Sequence, residues 1–558
     1  WFDSFWKRSP WLFRRNKMVL KTWHWLSAAL IIQLLCAVLP GLAIAQSGEG
    51  SHKLAQAIRE QLVKDVGLID ESDLVWLDLR RFYTERRFQP VWYRDEGLNE
   101  RAQTLLATLK SADTQGLNPE DYNMCFFERH CDDELASQRL WVELLLTKAL
   151  MLYIEHMLVG RLAPQDMNLN WHIDKPSIDT WAWLQNIVAA DDFKNALEAL
   201  QPPHDGYRRL QSALLKYLDL QTAGGWSPVP DSPVLQIWDS HERVALLRRR
   251  LQAEGDLLVG PVENPLLFDE TVKLAVEHFQ VRYGIDVDGI VGPETRTAMN
   301  VPIAERIQQI QFNLERWRWL PRDLGERYLL VNTAGYELVV YEHNQPLYVM
   351  RVIAGTPERS TPAVAGPLES IIFNPYWHIP RKLALADVLP RQQQNKNFFS
   401  AMGIRVFKNK SGGLTEVSPS QIDWAKMNPN RFPYQLRQDP GPRNSLGSIK
   451  FKFANDFALY LHDTPKQRLF DRETRAFSSG CIRVENAINL AEYLLQNHNG
   501  WTKSKIQQVI DSGETVSVDM PSEIPLYLVY WTAWVSSDHH VYFRKDVYGW
   551  DKKQSQCN

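Results

Sequence analysis

The hydrophobic period of this 558-residue chain changes at Pro321, and the change constrains what the chain can fold into. Before Pro321, apolar residues such as Ile307, Ile310 and Leu314 recur every three or four positions, which predicts amphipathic helices. After it, the period changes to that of strands, and strand-like segments lie at 328–331, 337–341, 348–352, 370–373, 450–453 and 457–461. We therefore expect a multidomain α+β protein with a helical N-terminal part and a mostly β C-terminal part.

Composition narrows the class of protein. The 63 Lys and Arg residues nearly balance the 66 Asp and Glu residues, for a formal net charge of −3. This balance excludes a generally basic protein that coats nucleic acid, so we expect no nucleic-acid partner. Five cysteines are too few to build a disulfide scaffold. At roughly 100–200 residues per domain, the length allows about three to five domains.

The first 45 residues are typical of an export signal. Basic residues precede an apolar run over 26–39, and Ala43-Ile44-Ala45 offers a cleavage site before Gln46. Because the run is shorter than the roughly 20 residues that span a bilayer, we predict a cleaved signal peptide. A retained inner-membrane anchor is the alternative. In either case we expect the protein to act in the periplasm.

The cysteines then divide by position. Cys36 leaves with the leader, and Cys557 lies in the C-terminal tail. Cys125 and Cys131 are six residues apart in a charged loop, and the oxidising compartment favours a disulfide between them. Two free surface thiols are the alternative.

Turn-rich segments and changes of period give the domain boundaries. Gly, Pro and Ser cluster over 224–233, and three short helices follow, the second with Asp269 as its N-cap. We predict a leader at 1–45, a helical scaffold domain at 46–237, a three-helix domain at 238–302, a linking helix at 303–325, a mostly β domain at 326–551 and a tail at 552–558.

One long segment of the β domain has little strand signal. It lies between Trp377 and Phe451, and so much chain between strands predicts an inserted lid subdomain, at about 381–445. Residues 378–450 carry 12 Lys or Arg and 4 Asp or Glu. This excess could attract carboxylates of a ligand, or it could be a solvated face.

The sharpest local pattern is Ser478-Ser479-Gly480-Cys481-Ile482-Arg483-Val484. We expect Gly480 to permit a tight turn and Cys481 to precede a helix that begins near Glu485. A thiol near a helix N-terminus is biased toward thiolate. The backbone N–H groups of Gly480 and Cys481 could hold an oxyanion, and Arg483 could bind a carboxylate.

A thiolate nucleophile needs a base, and His462 is the candidate. It ends the apolar segment 457–461, nineteen residues before Cys481. Tyr460 lies two residues earlier, so its side chain shares the strand face of His462 and could also donate to the oxyanion. A backbone carbonyl near Asp463, or the Asp463 carboxylate itself, would orient the imidazole. His378 is a weaker candidate for the base, because it lies before a proline in an extended segment.

His462-Asp463-Thr464 and the cysteine pattern together resemble the catalytic motif of the YkuD-type L,D-transpeptidases. The resemblance covers residues 326–520 and includes the segments 374–380 and 441–447. It implies substrate-binding roles for Tyr376, Trp377 and Asn444, as well as for Ser479 and Arg483. Ser479 stands where short family members have His. The larger, scaffolded members of the YcbB type also have Ser there, and this chain resembles them along nearly its whole length.

Residues 241–302 independently resemble a three-helix peptidoglycan-binding domain. The pattern includes Ala275-Val276-Glu277-His278-Phe279-Gln280, Gly284-Ile285 and Asp288–Gly292. A pure spacer with a packed core is the alternative for this segment.

The two resemblances imply an exported enzyme that forms 3→3 cross-links between peptidoglycan stem peptides through a cysteine acyl-enzyme. The donor would be a tetrapeptide stem and the acceptor a diamino acid on another stem, with carbapenem-type β-lactams acylating the same thiol. Cell-wall synthases are conceivable partners, and no cofactor is expected. An L,D-carboxypeptidase or a non-catalytic wall-binding scaffold is the alternative. No metal site can be identified, because His539-His540 lacks spaced partners.

Overall fold

A computed structural model describes residues 49–64, 74–131, 135–231, 233–410, 413–498 and 500–557. The leader at 1–45, with Cys36 and the cleavage site, lies outside these ranges. Within them, no helix has both the length and the apolar character needed to cross a membrane.

The first helical unit has its own core, formed between Leu54 and Leu200. Its longest helix is apolar nearly all round, as the sequence predicts, and is buried along most of its length. The unit comprises α1 (Glu49–Lys64), α2 (Leu74–Glu85), β1 (Tyr93–Arg94), β2 (Gly97–Leu98), α3 (Glu100–Lys110), α4 (Met124–His130), α5 (Ala136–Val159), α6 (Thr180–Ala189) and α7 (Phe193–Glu198).

A second core joins the remaining helices to the end of the β domain. The predicted N-cap is confirmed, since the Asp269 side chain accepts from the Val272 N–H. Gly206 lets α8 contact α12 closely, because a Cβ there would lie 2.3 Å from Trp317. The helices are α8 (Asp205–Thr222), α9 (Glu242–Glu254), α10 (Glu270–Tyr283), α11 (Pro293–Met299) and α12 (Ile303–Arg318).

The linking helix α12 is a buried element that polar contacts join to the end of the β domain. Asn313 exchanges hydrogen bonds of 2.9 and 3.0 Å with Thr532, and Arg316 pairs with Asp551 at 2.5 Å. Trp317 stacks on Trp531 with ring centroids 4.1 Å apart. Because a buried guanidinium is costly without an acidic partner, these contacts fix the helix against the β domain.

The β domain is built on a large sheet that closes on itself through pairing of β11 with β6. The strands predicted near 328–331, 337–341, 348–352, 370–373 and 450–453 are all present, whereas the strand predicted over 457–461 begins only at Tyr460. The sheet contains β3 (Arg327–Asn332), β4 (Glu337–Glu342), β5 (Gln345–Gly355), β6 (Val364–Phe373), β11 (Ile449–Phe453), β12 (Tyr460–His462), β13 (Ala476–Ser478), β14 (Ile482–Val484), β15 (Val516–Asp519) and β16 (Pro525–Val529).

The segment with little strand signal forms a separate four-stranded sheet with a core around Phe399 and Trp424. Its strands escaped detection because they lack a continuous apolar face: β9 is exposed along nearly its whole length, and the buried end of β10 is Gln438. The subdomain comprises β7 (Trp377–Ile379), α13 (Arg381–Leu383), a π-helical stretch (Ala384–Val388), α14 (Leu389–Gln394), α15 (Phe398–Ala401), β8 (Ile404–Lys410), β9 (Gly413–Val417) and β10 (Tyr434–Gln438).

The C-terminal part of the chain contains the helix predicted to begin near Glu485, together with elements that were not predicted. Two helices, α16 (Ala487–Leu494) and α17 (Lys503–Ser512), pack on the large sheet, and β17 (Ala533–Val535) pairs with β18 (Val541–Phe543). The residues expected to be a tail begin inside α18 (Trp550–Ser555), whose Trp550 is buried in the second core and contacts Trp171.

The predicted disulfide is wrong, since Cys125 and Cys131 are not joined. Cys125 lies in the first turn of α4 and Cys131 is its C-cap residue. Six residues of helix separate the two Cα atoms by about 9 Å at 1.5 Å per residue. A disulfide requires less than about 7 Å between Cα atoms.

A buried carboxyl group in α5, that of Glu143, makes the free energy of unfolding depend on pH. Glu143 accepts from the Val91 N–H at 2.5 Å, the Trp92 N–H at 3.0 Å and the Tyr83 hydroxyl at 2.8 Å. Burial nevertheless raises its pKa to about 7. Its ordinary pKa is about 4.3, so the folded state binds more protons between these values and loses stability as pH rises through them.

We expect Glu143→Gln to remove this dependence. Chemical denaturation should show that the free energy of unfolding of the wild type exceeds that of the variant by most near pH 4. This difference should shrink as the pH rises toward about 7. Exposed Glu128→Gln is the control, and its difference from wild type should stay constant. If the difference in the free energy of unfolding between Glu143→Gln and the wild type were also constant with pH, the raised pKa of Glu143 would be contradicted.

Candidate active site

The candidate site forms where β12 and β14 pair in parallel. His462 is opposite Arg483 and Leu461 is opposite Ile482, and Cys481 comes directly before β14. A parallel pair needs a connection of a dozen or more residues, which accounts for the nineteen-residue spacing of His462 and Cys481. Tyr460 and His462 share one strand face, as predicted, with ring centroids 5.7 Å apart.

Cys481 is partly buried beside Tyr460, whose backbone N–H and hydroxyl both hydrogen-bond the sulfur. Burial raises the pKa of the thiol, although these hydrogen bonds and the cations of Lys450 and Arg483 lower it. The expected helix dipole is absent, because β14 follows Cys481 and α16 begins only at Ala487. The expectation of a resting thiolate is therefore wrong, and the thiol is protonated at neutral pH.

His462 is buried and held by its neighbour. Its Nδ1 donates to the Asp463 backbone carbonyl at 2.5 Å, because a carbonyl can only accept. The carbonyl rather than the Asp463 carboxylate therefore orients the ring, and Nε2 keeps its lone pair. Burial first and the Arg483 charge second lower the pKa of His462 to about 3, so the imidazole is neutral.

The Asp463 carboxylate supports this arrangement from a turn. Its Oδ2 accepts from the Ser448 N–H at 2.9 Å. Gly447 packs against it with a φ of +62°, and a Cβ at that position would lie 2.3 Å from Oδ2. Only glycine fits, because a side chain would meet both the strained backbone and the carboxylate.

One of the three predicted oxyanion donors is engaged within its own turn. The Gly480 N–H donates to the Ser478 hydroxyl at 3.0 Å, and the Gly480 carbonyl accepts from the Thr361 hydroxyl at 2.7 Å. Gly480 has a φ of +114°, which agrees with the predicted tight turn. Tyr460 and the Cys481 N–H remain the predicted donors for an oxyanion.

Ser479, beside the thiol, is linked to the inserted subdomain. The Arg359 guanidinium donates to the Ser479 hydroxyl at 3.0 Å and binds both oxygens of Asp387 at 2.5 and 3.0 Å. Asp387 belongs to the π-helical stretch of the subdomain. The sequence analysis missed Arg359 and Asp387, since residues so far apart in the chain carry no local signal.

Arg483 is a partly buried cation without an acidic partner. No carboxylate of the described residues lies within 4.0 Å of its guanidinium, and its Nε lacks a hydrogen-bond partner. Burial lowers its pKa, and the charge of a Cys481 thiolate would oppose that shift. Lys450, missed in the sequence, lies nearby with its ammonium group 4.0 Å from the centroid of the Tyr460 ring.

The other predicted binding residues have different surroundings. The Trp377 side chain hydrogen-bonds Tyr460, and Tyr376 is 40% exposed beneath the Arg437 guanidinium. Asn444 is buried, and its amide donates to the Pro375 and Asp439 carbonyls.

The oxygen of the Asn444 side-chain amide accepts from the Leu446 N–H at 2.7 Å. Asn444 therefore holds a turn and offers no free polar atom to a ligand, which corrects its predicted role. His378 is exposed on β7, opposite Arg437 in the neighbouring strand β10.

Comparison with known proteins supports the resemblances. Residues 326–517 match the family described as "L,D-transpeptidase catalytic domain", residues 240–299 match "Putative peptidoglycan binding domain", and residues 77–214 match "Scaffold domain". The chain thus carries an L,D-transpeptidase catalytic domain with a peptidoglycan-binding domain and a scaffold domain, as predicted.

A relative from Haemophilus influenzae (strain ATCC 51907 / DSM 11121 / KW20 / Rd), named "Putative L,D-transpeptidase", is 34% identical over 305 residues. The matched region spans 54% of this chain and 59% of the relative.

Two solved structures were also matched. The L,D-transpeptidase (residues 123–326) of Xylanimonas cellulosilytica DSM 15894 is 14% identical, with a TM-score of 0.16 over 54% of this chain and 100% of that one. A fused Zn-dependent amidase/peptidase/peptidoglycan-binding domain-containing protein of Clostridium acetobutylicum ATCC 824 is 10% identical, with a TM-score of 0.15 over the same shares. Scores this low carry no structural conclusion.

The raised pKa of Cys481 predicts slow alkylation at neutral pH. The iodoacetamide rate at Cys481, followed by mass spectrometry, should still be rising above about pH 8.5, the ordinary thiol pKa. Lys450→Met should move the midpoint to still higher pH, because the Lys450 cation favours the thiolate.

Lys452→Met is the matched control, since Lys452 pairs with Glu369 at 2.7 Å. A midpoint below that of an ordinary thiol, or equal shifts in both variants, would contradict this account.

Proposed function

We propose that the protein is an exported peptidoglycan L,D-transpeptidase that forms 3→3 cross-links between stem peptides through a Cys481 acyl-enzyme. The observation that carries the proposal is that β12, which ends at His462, pairs with β14, which Cys481 directly precedes, so the family's nucleophile and base positions lie at neighbouring strands of the matched catalytic domain. The peptidoglycan-binding match supports the choice of substrate, and the leader supports action in the periplasm.

Acylation begins from a neutral pair. As the Cys481 sulfur attacks the carbonyl of the third stem residue, its proton passes to His462 Nε2 and a C–S bond forms. The Asp463 carbonyl holds the imidazolium through Nδ1. Tyr460, whose pKa is raised by burial and which therefore stays protonated, donates to the oxyanion with the Cys481 N–H.

Collapse of the intermediate releases the terminal D-Ala. The C–N bond breaks, His462 returns the proton to the leaving amine, and a thioester remains. The side-chain amine of a diamino acid on a second stem then attacks the thioester. His462 accepts the amine proton, the new amide forms, and the thiol leaves and is reprotonated.

Binding of the substrate to Arg483 makes His462 a stronger base. Its guanidinium lacks an acidic partner, so a carboxylate of the donor stem would bind it by charge-assisted hydrogen bonds. Neutralising this cation removes one cause of the low pKa of His462, which makes the imidazole a stronger base once the donor is bound. The site thus gains basicity on binding its substrate.

Water in place of the amine would make the protein an L,D-carboxypeptidase, and an inactive chain would be a wall-binding scaffold. Incubation with disaccharide-tetrapeptide, followed by mass spectrometry, separates these functions. We expect cross-linked dimers that disappear in Cys481→Ala, because the nucleophile is lost, and persist in the control Cys125→Ala, whose thiol is exposed on α4. Tripeptide alone would indicate the carboxypeptidase. Absence of turnover with retained wall binding would overturn both enzymatic functions.

Arg483→Gln should raise the KM for the tetrapeptide donor roughly tenfold or more, since a hydrogen bond to a charged group contributes about 1.5–3 kcal/mol. The acid limb of the kcat/KM profile should also move to higher pH, because His462 loses the opposing cation and is protonated more readily. Arg468→Gln, at an exposed arginine in the loop between β12 and β13, is the control. Unchanged KM and an unchanged acid limb in Arg483→Gln would refute the role.

A further inference from the structure

A histidine pair and a carboxylate meet far from the candidate active site. His278 on α10 lies near Asp538 and His540, which belong to the turn between β17 and β18. One ligand atom from each residue lies within 4.8 Å of the other two. The two imidazole rings are 4.6 Å apart and nearly perpendicular. His540 has no suitably spaced partner in the sequence, but the fold brings His278 to it from 262 positions away.

In both histidines, Nε2 is the ring nitrogen that carries no proton and can bind a ligand. His278 Nδ1 donates to the Asp256 carboxylate at 2.6 Å, and His540 Nδ1 donates to the Asp538 carbonyl at 3.1 Å. Because these oxygens accept the Nδ1 proton, each ring has its lone pair on Nε2. His540 Nε2 is directed toward the α9–α10 connection, 4.0 Å from the position of a Cβ on Gly255.

The surrounding contacts resemble the outer shell of a metal site. The Asp256 side chain is fully buried and paired with Arg282 at 2.5 Å, which fixes its carboxylate as the acceptor for His278. The Asp538 carboxylate is oriented by the Tyr542 hydroxyl at 2.7 Å and the His540 N–H at 3.0 Å. Such partners fix the orientation and basicity of ligands and strengthen metal binding.

We propose that His278, Asp538 and His540 bind a zinc ion. Two imidazoles and one carboxylate, with water in the fourth position, are a typical zinc ligand set. Tetrahedral zinc holds ligand atoms roughly 3.3 Å apart at bond lengths of about 2.0–2.1 Å. Reaching that spacing from the observed limit of 4.8 Å requires shifts of the exposed Asp538 and partly exposed His540 side chains. The ion would clamp α10 of the peptidoglycan-binding domain to the hairpin that ends the β domain.

The test measures zinc binding by isothermal titration calorimetry and thermal stability on untagged protein. A Cys481→Ser background removes the thiol of the active site as a competing ligand. We expect one zinc per chain and a higher Tm with zinc. His278→Gln and His540→Gln should each weaken binding at least tenfold and abolish the rise in Tm.

His539→Asn is the matched control, because His539 is adjacent, exposed and has a φ of +62° that Asn tolerates. This variant should bind zinc as the parent does. Equal binding by all three histidine variants, loss of zinc in His539→Asn, or absence of stoichiometric binding in the parent would each overturn the proposal. Circular dichroism of every variant in the absence of zinc separates loss of a ligand from loss of fold.

Discussion

The parallel pairing of β12 with β14 is the constraint on which the candidate site depends. It aligns His462 with Arg483 and brings Cys481 beside Tyr460. The strands are only three residues long. They hold their register because β11 pairs with β12 on one side and β5 pairs with β14 on the other, inside a sheet that β6 closes.

Burial, rather than a helix dipole, sets the charge state of this site. It keeps the thiol protonated and the imidazole neutral, so the resting pair carries no net charge. Arg483 and Lys450 remain as cations around it. This excess of positive charge around a neutral pair favours an anionic ligand.

Much of this arrangement could be predicted from the sequence. The change of period separates helical from β regions, and the spacing of His462 and Cys481 belongs to a local motif. Gly447, Arg359 and the strand after Cys481 could not be predicted, because each depends on pairing or packing between distant residues. The strands of the inserted subdomain were missed because they lack a continuous apolar face. Asn444 was assigned to substrate binding, although its amide holds a turn.

The buried helix α12 has a consequence for how the molecule can be assembled. Its partners Thr532 and Asp551 lie more than 200 positions later in the chain, and α18 reaches back to Trp171. The second core therefore cannot be completed until the end of the β domain has been made. The segments 162–217 and 244–299 share one interior with that end, and removing it would expose their apolar residues to water.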